Sequence, residues 1–499
     1  MIENRDVQKD LEQLDLILKE QGISRRDAMK MMGLSGAAFA MGGTTVHAQT
    51  SQSNSQTKAK ILIVGAGLAG MSTAAKLSKS LANPDITIIE PEENSVSYQP
   101  GQTLIAAGIW SKSEIIYKRD DFIQNGTKLI EDKAVHFDPE NNTVTTEKGT
   151  VVSYDYLVIA AGVTLNYGAI KGLEEVGELY SAGDNIQATK LLTKKGVSTI
   201  YTADGAEQTW TNLQAFIEKA KSNQKVKAVF THPNTPVKCG GAPKKIMYLA
   251  NARLNEAGKD IRANADLHFY PNGNTMFGIK DYHDAIVKQF DQRDMKYSYN
   301  HNLLEIRDGV AIFDDHSKFE EIYDETLEKN IKQKIHIPVE KEFDFIHVTP
   351  PMQAPKEIGN SALGSKKGWI PVNKETMQHT KYPNIFALGD IADVPMGKTG
   401  GSAREQYKVV VNNILSMMEK GEIPTTNPKY DGYTVCPLIT EIGTVMLAEF
   451  NWESKKLGSG KNAAMTSLLD PTKERYIWWL LKLYLLKPMT VYGMLAGRV

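Results

Sequence analysis

Cysteine is nearly absent from this chain: only Cys239 and Cys436 occur in 499 residues. Two thiols cannot build the multi-bridge framework of a small secreted domain, so stability must come from a buried core, for which this length leaves ample room. An excess of charge is also missing. The 58 Lys and Arg face 59 Asp and Glu, and no nucleic-acid partner is expected from that balance. No uncharged apolar run reaches the ~18 residues of a membrane-spanning helix. The ten histidines fall at no familiar metal-ligand spacing, so no bound metal is expected. What remains is the composition of a globular protein with two or three domains.

The amino-terminal stretch reads as an address. Ser24-Arg25-Arg26-Asp27-Ala28-Met29-Lys30 precedes a weakly apolar, Gly- and Ala-rich stretch from Met31 to Gly43, and Val46-His47-Ala48 offers a small-x-small cleavage site. The order resembles a twin-arginine export signal, with Ala28 where that pattern usually has Phe. It implies a signal peptide over 1–48, a polar linker over 49–58 and a protein exported already folded, to the periplasm. Without the resemblance, the same stretch is a mildly amphipathic arm.

Lys60 to Val64 reads as a β-branched strand, Gly65-Ala66-Gly67-Leu68-Ala69-Gly70 follows at once, and Met71 to Leu81 continues as a helix. In such a unit the first glycine takes the tight turn, the second lets backbone approach a pyrophosphate, and the third lets helix and strand pack closely. The helix amino terminus adds N–H donors and a partial positive charge. A second strand, Ile86 to Ile89, delivers Glu90 twenty residues after Gly70, where a carboxylate can bind a ribose hydroxyl pair. Further on, Tyr154 to Ile159 leads into Ala160-Ala161-Gly162, and Asn384 to Leu388 leads into Gly389-Asp390. The pair resembles the two-dinucleotide-domain flavoproteins, in which the Gly-Asp segment reaches the pyrophosphate and ribityl chain of FAD. That implies an α/β fold with two Rossmann-like domains. FAD would be held by 59–175 and 345–425, the second domain would be 176–344, and 426–499 would be a carboxy-terminal region.

NAD(P)H-using relatives carry a second glycine fingerprint in the middle domain. Here the strand Val226 to Thr231 runs into His232-Pro233-Asn234-Thr235-Pro236-Val237-Lys238-Cys239-Gly240-Gly241-Ala242-Pro243-Lys244-Lys245. Two prolines and a cysteine occupy the place of a phosphate-cradling turn, so a nicotinamide donor is not expected. The cysteine segment, together with Tyr430-Asp431-Gly432-Tyr433-Thr434-Val435-Cys436-Pro437-Leu438, resembles the sulfide:quinone oxidoreductases of the mitochondrial and bacterial branch. Tyr98-Gln99-Pro100-Gly101, His347 to Met352 and Lys398-Thr399 add to the likeness, which runs from about Ala59 to Phe450.

On count alone the two cysteines would read as a structural disulfide. The resemblance implies instead a redox pair, joined by a disulfide or a sulfur-bearing bridge: hydrosulfide attacks one sulfur, and the released thiolate passes two electrons to the flavin. It further implies Cys239 as the flavin-facing sulfur and Cys436 as the sulfur first attacked, with Lys245 and Lys398 supporting negative charge at thiolate and flavin. Its FAD-contacting positions would be Gly65, Gly67, Leu68, Ala69, Gly70, Glu90, Gln99, Val135, Ala161, Gly162, Gly389, Asp390 and Lys398. By residue type alone, Lys244, Lys245 and Lys398 are solvated surface residues.

Arg475 to Lys487 is dense in Trp, Tyr and Leu, is interrupted by Lys482 and is followed by Pro488. It reads either as a helix in the membrane interface, which would suit a quinone acceptor, or as a buried core or oligomer helix. Lys194 to Gln224 and Phe319 to Lys329 read as decoration of the middle domain. The function implied is oxidation of sulfide to persulfide or polysulfide sulfur, with electrons passing from FAD to membrane quinone. Its rivals are a sulfide dehydrogenase subunit feeding a c-type cytochrome and a non-catalytic sulfur carrier. The sulfur acceptor and any homo-oligomer stay open.

Overall fold

The computed structural model describes residues 57–92, 95–324, 328–460 and 469–498. The expected signal peptide and most of the linker lie outside them. The elements that carry the site are, in chain order, β1 (Lys60–Val64), α1 (Leu68–Ser80), β2 (Asp85–Glu90), β3 (Thr127–Glu131), β4 (Tyr156–Ile159), β5 (Val197–Ser198), α2 (Ala203–Lys221), β6 (Val226–His232), α3 (Ala242–Ala257), β7 (Ala265–Pro271), β8 (Lys296–Tyr297), β9 (Phe345–His347), β10 (Ile385–Ala387), α4 (Gly400–Lys420), β11 (Thr434–Glu441) and β12 (Thr444–Phe450).

Two compact units form. The first holds the described residues up to Pro91, Arg119–Ala161 and Ile370 onward; the second holds Glu92–Lys118 and Gly162–Trp369. Residues 92–118, 162–175 and 345–369, read from sequence with the first half, therefore cluster with the second unit. Backbone pairing accounts for part of this, because the Thr164–Asn166 strand pairs with Met352–Gln353 inside that unit.

Each unit is built on a five-stranded parallel sheet. The first has the order β10-β4-β1-β2-β3 and the second β5-β9-β6-β7-β8. Strand β1 explains why such a sheet is internal: Ile61, Leu62, Ile63 and Val64 are all buried, as expected where both faces are covered. The tract 194–224 is no mere decoration, since β5 adds an edge to the second sheet and α2 buries Leu213, Phe216 and Ile217.

The carboxy-terminal region joins the first unit. Strands β11 and β12 form an antiparallel hairpin, and helix α5 (Tyr476–Leu480) packs against β12. The expected interfacial helix is not a single amphipathic rod. Its path continues past Pro488 in wide turns with i+5 hydrogen bonds, such as Leu495 N–H to Thr490 O at 3.0 Å. Ile477, Trp478, Trp479, Leu480, Leu481 and Lys482 are buried in protein, so these side chains do not face lipid. The physical reason is close packing on β12; further along, a Cβ at Gly497 would lie 2.6 Å from the Ala75 carbonyl carbon, and the Lys79 ammonium donates to Ala496 O. Tyr492 stays exposed, with Tyr484 to Pro488 half-buried. No helix among the described residues is long and apolar enough to cross a membrane.

Candidate active site

In the first unit, the sequence Gly65–Gly70 folds as the fingerprint requires. Gly65 takes φ +105°, and a Cβ there would meet Ala160 O at 2.6 Å, so only glycine fits between β1 and the turn after β4. At Gly70 a Cβ would clash with Gly65 O at 1.9 Å, which makes the helix–strand approach equally strict. Gly67 differs, because nothing lies within 4 Å of the Cβ it lacks. Open space sits over the amino terminus of α1, which has no side-chain cap and no acidic residue in its first turn. Those N–H groups and that space fit an anionic pyrophosphate. Glu90 Oε2 accepts from Ala66 N–H at 2.6 Å, placing the expected ribose carboxylate at the edge of the glycine turn.

The later segments close on the same place. A Cβ at Gly389 (φ +74°) would be 3.2 Å from the Ala69 methyl, and one at Gly400 would be 3.5 Å from Leu68 Cδ2. Thus Gly65–Gly70, Gly389-Asp390 and the start of α4 converge within one unit, as a dinucleotide cradle demands. Ala161 stands two residues past the end of β4; Val135 lies half-buried on the Ala134–Asp138 strand.

Lys398 stands just before α4. Its ammonium donates to the carbonyls of Asp390 and Ala392, the latter at 3.2 Å. Its side chain is only half covered overall, but the ammonium end is enclosed, and that burial pulls its pKa down to about 8 against the opposing pull of Asp390 and Asp393. Between pH 8 and 10.5 the folded chain then binds fewer protons here than the unfolded chain, so stability rises with pH across that window. Below pH 8 both states are charged and the burial cost is present in full. Urea unfolding of flavin-free protein should show wild type gaining on Lys398→Met between pH 8 and 10.5, by up to ~1.4 kcal/mol per pH unit. A difference that stays constant with pH would refute the enclosed charge.

Cys436 is buried on β11 opposite Ala448. The start of α4 leans on this strand: Ser402 Oγ donates to Thr434 Oγ1 at 3.2 Å, and a Cβ at Gly401 would be 2.2 Å from Val435 Cγ1. Lys398 and Cys436 therefore sit on neighbouring segments of the first unit.

The second unit holds the other thiol. The chain leaves β6 through the Pro-containing turn and enters α3 at Ala242, with Pro243 in the first helical turn, where its missing N–H costs nothing. Cys239 adopts φ +51°. Most other non-glycine residues in that region are Asn or Asp, which tolerate it, so the cysteine is held there at a cost of ~1–3 kcal/mol. Ala242 N–H donates to Cys239 O at 2.7 Å and pins the turn. Lys245 Nζ lies 3.3 Å from Cys239 Sγ, a geometry that favours thiolate over thiol.

Lys238, Lys244 and Lys245 are all buried, which overturns the surface reading of Lys244 and Lys245. Lys244 donates to Gly240 O at 2.9 Å and stands over the Phe269 ring at 5.2 Å. Lys238 donates to Gln99 Oε1 at 2.8 Å. Gln99, expected beside FAD, here braces the cysteine loop. His232, not singled out from sequence, ends β6 near Gly240; burial and then Lys244 push its pKa down to about 3, so it is neutral and adds no charge beside Cys239.

Two Rossmann-type parallel sheets, a glycine cradle and a cysteine loop define a class, and comparison with known proteins agrees. Residues 59–227 match the profile of the pyridine nucleotide-disulphide oxidoreductase family. The mitochondrial sulfide:quinone oxidoreductase of Mus musculus is 35% identical over 425 residues, covering 85% of this chain and 83% of that protein. That of Dictyostelium discoideum is 35% identical over 443 residues, covering 88% and 86%. The X-ray structure of the Aquifex aeolicus sulfide:quinone oxidoreductase shares the fold with a TM-score of 0.64 at 19% identity, over 88% of this chain and 92% of that one. The chain belongs to the sulfide:quinone oxidoreductase family and is an FAD-dependent oxidoreductase.

Proposed function

We propose that this protein oxidises sulfide to persulfide or polysulfide sulfur at Cys239 and Cys436 and delivers the electrons through FAD to a membrane quinone. The observation that carries the reading is the Lys245 ammonium 3.3 Å from the sulfur of a cysteine held at positive φ, in a chain 35% identical to sulfide:quinone oxidoreductases. When bound, FAD supplies the two-electron acceptor that connects the thiols to quinone.

In the oxidised chain the two cysteines share a sulfur–sulfur bond. Hydrosulfide forms a new bond to Cys436 sulfur as the old one breaks, leaving a persulfide on Cys436 and a thiolate on Cys239. Lys245 holds that thiolate, and Lys398 holds positive charge on the segment beside the cradle. A second nucleophile then removes the persulfide sulfur.

The membrane part of the proposal rests on what the fold leaves uncovered, Tyr492 and the half-buried Tyr484 to Pro488, as a peripheral contact. Export to the periplasm rests on the order of residues 24–48. Cell fractionation and the amino-terminal sequence of the mature chain decide both.

Anaerobic addition of sulfide to the purified holoprotein should bleach the flavin band near ~450 nm. A short-chain quinone should restore it. Restoration by a c-type cytochrome alone would replace the acceptor, and an unchanged spectrum after sulfide would leave only the carrier role.

A further inference from the structure

We propose that Asp314, His316 and His336 bind a divalent transition metal, best fitted by zinc(II), at the root of the Phe319–Lys334 hairpin. The ladder geometry brings them together. The Val310–Asp315 strand pairs antiparallel with Ile337–Glu342, with Asp314 opposite Pro338 and Asp315 opposite Ile337. One step further along the same register, His316 meets His336. Side chains two apart on a strand share a face, so Asp314 and His316 point the same way, toward the cross-strand histidine. The two intervening strands, Phe319–Asp324 and Lys329–Lys334, pair with each other as a separate two-stranded antiparallel sheet. One nitrogen of each imidazole and one carboxylate oxygen lie within 4.8 Å of one another, the one such group among the described residues.

The hydrogen bonds point to a cation. His316 Nε2 lies 3.2 Å from the Asn272 carbonyl, which can only accept, so Nε2 carries the proton. In a neutral ring Nδ1 is then a lone pair. It faces Asp314 O at 3.3 Å and Asp314 Oδ2 at 3.5 Å, both acceptors. His336 Nδ1 approaches the same Oδ2 at 2.7 Å. His336 Nδ1–H can donate to that oxygen, so the unfavourable contact is the His316 lone pair against the Asp314 oxygens. A metal among these atoms turns all three groups into a ligand set, and the Asn272 carbonyl becomes the outer partner that orients a ligating histidine.

Two imidazoles and one carboxylate suit zinc, with bonds of ~2.0–2.2 Å and a fourth position left for water, whereas calcium and magnesium prefer all-oxygen shells. Tetrahedral ligands at that distance stand ~3.3 Å apart, so a modest contraction completes the site. His336 is exposed and free to make it. The bound ion would tie the two ends of the hairpin together.

The test uses FAD-loaded protein with Cys239 and Cys436 both changed to Ser, to remove competing thiols, after chelator treatment and dialysis. Zinc is titrated by calorimetry, and bound metal is counted after desalting. One tight equivalent is expected, weakened more than ~100-fold by His336→Ala, beyond the ~10–100-fold typical of outer-shell changes. Asp314→Asn should do the same, and zinc should slow tryptic cleavage at Lys329, Lys332 and Lys334 only when His336 is present. No tight equivalent in the unaltered site, or the same affinity in His336→Ala, overturns the proposal.

Discussion

Cys239→Ser is expected to abolish sulfide-dependent flavin reduction, lowering its rate by ~10³-fold or more, while FAD remains bound. A serine hydroxyl is not ionised near neutrality and is a hard nucleophile, so neither the sulfur–sulfur bond nor a stabilised anion survives the change. Lys245→Met isolates the electrostatic part. It keeps the thiol and removes the ammonium 3.3 Å away, so alkylation of Cys239 by iodoacetamide at pH 7 should slow. Cys436→Ser should match the loss in Cys239→Ser, since a redox pair fails with either half missing. Normal turnover in either serine variant would end the case for that residue.

Gly67→Val should empty the protein of FAD without unfolding it. Gly67 has φ −74°, which any residue adopts, and its missing Cβ meets no protein atom within 4 Å. The fold therefore has no objection to a side chain there, and only a ligand laid over the amino terminus of α1 does. Overpacking on that scale costs up to ~3 kcal/mol, or ~100-fold in affinity. The control is Gly65→Val, where φ +105° and a 2.6 Å approach to Ala160 O are violated, so soluble protein itself should be lost. Absorbance at ~450 nm per unit protein, read with circular dichroism, separates the two. A Gly67→Val protein with full flavin would put the pyrophosphate elsewhere.

The parts legible in the sequence are those whose cause is local. Gly65, Gly67, Gly70 and Glu90 declare themselves because turn, helix terminus and second strand follow one another within thirty residues. Residue type alone ranks Lys244 and Lys245 as exposed, and only the tertiary packing around them buries both. Gln99 is 139 residues from the Lys238 it braces, and no periodicity signals such a bond. The apolar run at 476–483 gave the same pattern for lipid as for core, and only its burial, with Tyr476–Leu480 packed on β12, decides between them. His316 and His336 escaped notice because the ligand spacing is written across a strand ladder, with a hairpin inserted between them.

The cradle unit is assembled from the described residues up to Pro91, Arg119–Ala161 and those from Ile370 onward, and the turns around Ala496 and Gly497 grip the back of α1 at Ala75 and Lys79. During synthesis, the glycine turn leaves the ribosome hundreds of residues before β10, α4 and the tail that complete its surroundings. The unit therefore cannot mature from the amino terminus onward, as sequential domains commonly do. Cofactor capture waits until those later segments have been made, and loss of the segment around Ala496 and Gly497 leaves that part of α1 uncovered.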